Sequence, residues 1–341
     1  MFSSYLRACA GAAALAVSAV FGLPAHAAPS FSDVYFFGDS LTDTGNLSIA
    51  SGGFYPRAGT TQPYAGGRFS DGPLWSEVTA GILGQASDAT PFQTGGKNFA
   101  FAGARTGTSQ NPPGVLAQVA GIWNGVGDPN ALYVVVGGGN DMRDARTTFS
   151  GNSQADINGR HAAAQAAANN LISSIGYLAQ HGAKYVLVAN LPDLGQTPEA
   201  VGLGVVAPST DVSGRFNALM PSVVGVGANF GLHMTFFDLA GLSNTVRLDA
   251  TGNGGHLFGI TDISHPCAGF NGSVGNACAN SAFSDALHPS ARAHEIFGVF
   301  AASAALSTLA AAVPEPEIYA LMMLGLLVIG GAARRRISKA A

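Results

Sequence analysis

The sequence predicts an α/β fold in which a parallel sheet is covered by helices on both faces, and three observations carry that prediction. Four short apolar runs show no alternation with polar residues, helical stretches separate the later runs, and polar residues able to do chemistry gather just beyond the ends of several runs. In open parallel sheets reactive groups collect at the carboxyl ends of the strands.

The strands are expected at residues 34–37, 132–136, 185–189 and 234–237. Continuous apolar runs of this length, bounded by turn residues, suit strands buried on both faces. Helices are expected at 157–180, 212–228 and 290–309, and strands alternating with helices argue for a parallel sheet. Residues 47–96 and 240–284 are rich in Gly, Ser, Asn and Pro and read as long functional loops. No internal repeat is apparent, so one catalytic domain is expected over residues 28–312.

Both ends of the chain read as targeting segments. Arg7, an apolar run over 10–23 and the small-residue site Ala25-His26-Ala27 form a signal peptide pattern, with cleavage before Ala28. An N-terminal membrane anchor is the alternative, but the run is shorter than the roughly 20 residues a span needs. At the other end, Val313-Pro314-Glu315-Pro316 precedes an apolar segment at 318–333, followed by Arg334-Arg335-Arg336 and Lys339. Basic residues beyond an apolar segment place that side in the cytoplasm. The segment suits a temporary stop in the membrane better than a buried core helix, which three adjacent arginines would not join. Pro-Glu-Pro, an apolar helix and an arginine cluster in this order resemble the PEP-CTERM sorting signal of Gram-negative bacteria. The resemblance implies that an exosortase-type membrane protease removes the tail, residues 313–341, and releases the protein to the cell surface.

Charged residues make up 11% of the chain and the formal net charge is −4, which excludes the basic footprint of nucleic-acid binding. Cys9 leaves with the signal peptide. Cys267 and Cys278 lie in a Gly/Asn-rich loop of an exported chain, where a local disulfide is the natural pairing. Two such cysteines make a poor zinc site, and neither a metal nor a cofactor is expected.

Ser40 stands in Phe36-Phe37-Gly38-Asp39-Ser40-Leu41-Thr42-Asp43, a strand running into a glycine-containing turn. A serine hydroxyl becomes a competent nucleophile only with a base in hydrogen-bond reach; without one, a Ser in this position is a helix cap. The base candidate is His288 in Asp285-Ala286-Leu287-His288-Pro289, where Asp285 is spaced to fix the imidazole tautomer. Asp262-Ile263-Ser264-His265-Pro266 repeats the spacing. His288 is preferred because a helix follows it and gives a rigid mount, whereas His265 runs into a glycine-rich loop. His294 reads as a structural or surface histidine. Donors for an oxyanion are expected from Gly103 N–H, in Asn98-Phe99-Ala100-Phe101-Ala102-Gly103, and from the Asn140 amide, in Gly137-Gly138-Gly139-Asn140-Asp141. Taken singly, each of these segments also reads as a turn. Phe54, Tyr55, Tyr64, Phe99, Phe101 and Phe258 are candidates to line an apolar acyl pocket, although aromatic residues near a core more often serve packing.

With these blocks in order, residues 31–306 resemble the GDSL or SGNH hydrolase family of esterases and lipases. Gly38-Asp39-Ser40-Leu41, Gly103, Gly138-Gly139-Asn140-Asp141 and Asp285-Ala286-Leu287-His288-Pro289 match its successive motifs, although Ala102 stands where many members have a second glycine. Two further stretches look familial, Gly67-Arg68-Phe69-Ser70-Asp71-Gly72-Pro73-Leu74-Trp75 and residues 190–198. The resemblance implies a flavodoxin-like three-layer αβα sandwich. It also implies a serine esterase acting on small-molecule or lipid esters: Ser40 as nucleophile, Asp285 and His288 completing the triad, and the N–H groups of Ser40 and Gly103 with the Asn140 amide as oxyanion hole. A polysaccharide acetylesterase, an acyltransferase and a non-catalytic surface binding module are the alternatives.

Overall fold

The computed structural model describes residues 30–56, 64–267 and 276–312. The expected signal peptide, 1–27, and the expected tail, 313–341, lie outside the described residues. Four strands, β1 (Val34–Phe37), β2 (Leu132–Val135), β3 (Tyr185–Ala189) and β4 (His233–Phe237), form one parallel sheet in the order β1-β2-β3-β4. Beyond β1, Phe36 N–H donates to Lys97 O at 3.0 Å and Phe99 N–H donates to Phe36 O at 2.7 Å, a parallel bridge centred on Asn98. The chain thus leaves β1 toward one side at Asn98 and returns on the other at β2. The carboxyl end of β1 is therefore the switch point of the sheet, where α/β proteins open a crevice.

Helices α1 (Asn46–Ala50), α2 (Trp75–Ile82), α3 (Gly139–Thr148), α4 (Gln154–Gln180), α5 (Val206–Asn217), α6 (Met220–Asn229), α7 (Leu239–Asn253) and α8 (Ala291–Ala312) surround the sheet. Successive strand residues point to opposite faces. Phe37, Tyr133, Val135, Val186 and Val188 meet α3, α4, α5 and α6 on one face, and Val34, Phe36, Leu132, Val134 and Leu187 meet α2, α7 and α8 on the other. All of β2 is buried, which is why its sequence does not alternate. In α4 the stripe Ala164, Ala167, Ala168, Leu171, Ile175 and Leu178 faces the core at helical spacing. Ser153 caps that helix, accepting from Asp156 N–H at 3.2 Å.

Three expectations need correction. The single helix expected at 212–228 is two, because Pro221 cannot sit in a helix interior and instead occupies the first turn of α6. Residues 47–96 are not all loop: α2 forms where Glu77 reaches back to accept Leu74 N–H at 2.9 Å. Residues 240–284 contain α7, whose Ser, Thr, Asn and Gly residues hide a helical spacing of Leu239, Leu242 and Val246, capped by Asp238 on Gly241 N–H at 2.9 Å. The same segment carries β5 (Asp262–Pro266), which pairs in parallel with β6 (Ser281–Phe283). Cys267 and Cys278 form a disulfide beside this ribbon. Helix α8 is long and apolar enough to cross a membrane, yet Ile296, Phe297, Ala301, Ala302, Ala305 and Leu309 pack into the core.

Candidate active site

The turn after β1 is built by side chains that replace missing backbone partners. Asp39 O accepts N–H groups of Thr42 at 3.0 Å and Asp43 at 2.9 Å, so the chain closes a tight turn around Ser40. The Gln118 amide clasps Gly38 from both sides, accepting its N–H and donating to its carbonyl, each at 2.8 Å. The Asp43 carboxylate accepts Gly45, Asn46 and Leu47 N–H, and also Ala102 N–H at 2.8 Å. Asp43 therefore ties the Ser40 turn to the segment that carries Gly103.

His288 Nε2 lies 2.9 Å from Ser40 Oγ, and His288 Nδ1 lies 2.6 Å from Asp285 Oδ2. Asp285 Oδ1 accepts the N–H groups of Leu287 at 2.7 Å and His288 at 2.6 Å, so aspartate and imidazole are locked in one turn. Tyr64 Oη adds a donor to Oδ2 at 2.6 Å. Burial of Asp285 opposes its ionisation, but the His288 charge and these hydrogen bonds prevail and hold the carboxyl down at about 2. Burial, followed by the neighbouring Asp285 charge, raises the Tyr64 phenol far above its ordinary value. Phe69 packs against the imidazole, ring centroids 5.1 Å apart. The turn is further clamped by Ser70 and Asp71: Ser70 Oγ donates to Pro289 O at 3.1 Å, and Asp71 Oδ1 accepts Ser284 Oγ at 2.6 Å and Ala291 N–H at 2.7 Å.

The duplicate motif folds the same way locally and leads elsewhere. Asp262 Oδ1 accepts Ser264 and His265 N–H at 2.9 and 3.0 Å, and His265 Nδ1 sits 3.2 Å from Asp262 Oδ2. The His265 side chain is nevertheless 78% exposed, and its nearest hydroxyl, Ser264 Oγ, lies 3.1 Å away on the same nitrogen that faces Asp262. His294 is fully buried. Its Nδ1 accepts Trp75 N–H at 3.2 Å and its Nε2 has no hydrogen-bond partner among the described residues. Burial, reinforced by the His288 charge, pushes its imidazole down to about 3.

Gly103 has φ +80°, a backbone region that favours glycine. Its segment is tied to the Ser40 turn by Phe101 N–H on Gly38 O at 3.1 Å, and to Asn140 by Asn140 Nδ2 on Ala104 O at 2.9 Å. That bond uses one of the two amide hydrogens of Asn140 and leaves the other for a ligand. Neither Ser40 N–H nor Gly103 N–H donates to another group among the described residues. Asn140 opens α3 behind Gly138, whose φ is +111° and where a Cβ would meet the Phe216 ring at 2.8 Å. Sequence reasoning passed over the roles of Asp141, which accepts Thr106 N–H at 3.0 Å and so fixes the loop beyond Gly103, and of Gln118, Ser70, Asp71 and Tyr64. Only the Gly67–Trp75 stretch had signalled some of these.

A cavity of 320 Å³ opens beside Ser40, Asn140 and His288, within the size range of small-ligand sites. Its apolar wall comes from Leu191, Leu194, Val246, Ile260, Ile263 and Phe297. None of the six candidate aromatics lines it. Phe99 and Phe101 pack with Phe92, Phe258 approaches Phe300, Tyr64 binds Asp285, and Phe54 and Tyr55 are exposed beside each other. Asp39 also borders the cavity, and burial pushes its carboxyl up to about 6. The one cluster of metal-ligand types among the described residues, Asp71 with Cys267 and Cys278, has its sulfurs engaged in the disulfide.

A parallel α/β sheet whose switch point presents a serine hydrogen-bonded to an aspartate-held imidazole, beside an apolar cavity, is an arrangement able to activate a hydroxyl for acyl transfer. The chain belongs to the GDSL-like lipase/acylhydrolase family, whose model matches residues 34–299, and a PEP-CTERM protein-sorting motif matches residues 312–336. It is 28% identical over 247 residues to a phosphatidylcholine-sterol acyltransferase of Aeromonas hydrophila, covering 71% of this chain and 67% of that one. It is 30% identical over 313 residues to esterase EstA of Pseudomonas aeruginosa, covering 77% and 45%. The chain thus spans about half to two thirds of the length of these curated relatives. A solved structure of Est24, a carbohydrate acetylesterase from Sinorhizobium meliloti, aligns with a TM-score of 0.41 at 16% identity, over 82% of this chain and 99% of that one.

Proposed function

We propose that the protein is an exported serine esterase that hydrolyses carboxylic acyl esters of small molecules or lipids through an acyl-enzyme. The observation that carries this reading is the continuous hydrogen-bonded chain from Ser40 Oγ through His288 to Asp285, at 2.9 and 2.6 Å, on the wall of an apolar cavity. His288 Nε2 takes the Ser40 proton as Oγ attacks the ester carbonyl. The oxyanion rests on Ser40 N–H, Gly103 N–H and the free amide hydrogen of Asn140. His288 then protonates the leaving alcohol. A water molecule, deprotonated by the same imidazole, releases the acyl group as its acid and restores Ser40. Asp285 stays ionised throughout, consistent with its depressed carboxyl.

The hydrolase would occupy residues 28–312, after a signal peptide over 1–27. The sorting tail, 313–341, would hold it briefly in the inner membrane until an exosortase-type protease releases it to the cell surface or extracellular matrix. Acyl transfer to an alcohol in place of water is a second reading, favoured by the likeness to the phosphatidylcholine-sterol acyltransferase. Reaction with an organophosphonate ester, followed by mass spectrometry, tests the assignment. An adduct on Ser40 that is lost in Ser40→Ala supports it; an unlabelled wild type, or an adduct that survives the substitution, overturns it.

A further inference from the structure

The cavity that holds Ser40 is not wholly apolar. On one turn of α7, Ser243, Asn244 and Arg247 all contribute to its lining, and Arg247 stands apart from the other arginines. Every other described arginine is paired with a carboxylate. Arg143, the second arginine on the cavity, is paired with Glu199, a carboxylate it shares with Arg146. Among the described residues Arg247 makes one hydrogen bond, donating to Asn244 Oδ1 at 3.2 Å. The carboxylates bordering the cavity do not serve as its partner: Asp39 accepts Leu41 N–H at 3.1 Å, and Asp193 accepts Gly195 N–H at 2.8 Å and Thr210 Oγ1 at 2.9 Å. One helical turn before Arg247, Ser243 Oγ is buried with no hydrogen-bond partner among the described residues. A guanidinium without a carboxylate beside an orphan hydroxyl, on the wall of a reaction cavity, is an incomplete anion site.

We infer that Arg247, with Ser243 and the Asn244 amide, is a subsite for an anionic group on the ester substrate. This selects esters whose alcohol portion carries an oxyanion such as phosphate or carboxylate. The inference rests on the ester-hydrolase reading and deepens it. The acyl chain takes the wall of Leu194, Val246, Ile260 and Phe297, and the guanidinium takes the charge. Arg suits this task because its planar fork matches the oxygens of carboxylate and phosphate.

The test compares kcat/KM of the full chain on three esters of one acyl chain: the neutral 1-acylglycerol, the 1-acylglycerol 3-phosphate and the acyl ester of glycerate. Wild type should favour one or both anionic esters. Arg247→Gln should lower their kcat/KM by about 10- to 100-fold, the span expected of one charge-assisted hydrogen bond. The neutral ester should stay within about twofold, which also shows that the variant is folded, and the ester with the larger loss identifies the anion. Equal losses on all three, or no preference in wild type, overturn the inference while leaving the esterase reading intact. If none of the three esters is turned over, the esterase reading has failed. The subsite is then read by calorimetry, with the ether analogue of the phosphate ester and of the glycerate ester binding Ser40→Ala. Weaker binding of either when Arg247→Gln is added supports the subsite, and unchanged binding of both refutes it.

Discussion

Tyr64 Oη donates to Asp285 Oδ2 at 2.6 Å, on the same oxygen that faces the His288 imidazole. The two residues are 221 positions apart, and together with the N–H groups of Leu287 and His288 the phenol occupies the remaining capacity of the carboxylate. Tyr64 is thus a positioning residue for the aspartate. Tyr64→Phe keeps the ring against Phe69 and removes one donor. The expected outcome is a loss of about tenfold in kcat with little change in KM, in line with one hydrogen bond to a charged group. More negative charge then remains on Asp285, the aspartate–imidazole pair holds its proton more tightly, and the acid limb of the kcat/KM profile moves to higher pH. A profile that does not move would reduce Tyr64 to a space-filling role.

The paired Asp-x-x-His turns give a sharp contrast. His288→Ala should lower turnover by 10³-fold or more, on the order seen when a triad base is removed. His265→Ala, at an exposed side chain on β5, should leave it within about twofold. Steady-state kinetics on one chromogenic ester decide the matter, and the opposite pattern would move the base to His265.

Asn140 is expected to act on the transition state. Replacement by Ala should cost about 10²- to 10³-fold in kcat at nearly constant KM, the usual effect of losing one oxyanion donor. Because Asn140 Nδ2 also holds Ala104 O, circular dichroism and thermal melting should accompany the kinetics. A rise in KM without a fall in kcat would assign Asn140 to ground-state binding.

Acid should destabilise the fold through His294. Its imidazole is held at about 3 in the folded protein against 6.5 when unfolded, so the unfolded chain binds the extra proton first. The contribution is complete above pH 6.5 and is lost as the pH falls toward 3, a change on the order of a few kcal/mol. His294→Gln, which retains an acceptor for Trp75 N–H, should flatten the decline of Tm over that window. Asp39 has the opposite sign: with its carboxyl raised to about 6, its contribution is full below 3.8 and lost as the pH rises through 6, so Asp39→Asn should raise Tm at pH 8 more than at pH 4. Scanning calorimetry across pH 3–8 checks both signs.

How much of this was legible in the chain follows from the range of the interactions. β2 could be read because every residue of Leu132–Val135 is buried, a pattern that a polar face would have blurred. Ser40, Asp285 and His288 could be matched because their local turns are specified by neighbours within a few residues. Asp262 and His265 repeat the same local logic, and the two turns do share their backbone hydrogen bonds; the helix after His288 was the one signal in the chain that set them apart, and tertiary placement leaves the His265 side chain exposed. The cavity wall could not be read from the chain, because composition does not say which loops meet. Val246 reaches it from a helix whose Gly, Ser, Asn and Thr content reads as loop, and Ile260 from the segment that follows that helix. The Tyr64 bond to Asp285 and the place of Arg247 on the cavity wall were hidden for a related reason: neither residue belongs to a motif.

Helix α8 begins three residues after His288 and runs unbroken to Ala312, where the sorting motif starts. At 1.5 Å per residue it is about 33 Å long. A stiff rod so seated in the interior keeps events at its far end remote from the imidazole. Cutting the chain past Ala312 would sever a tether without retuning the catalyst, and membrane-held and liberated forms should share one intrinsic rate.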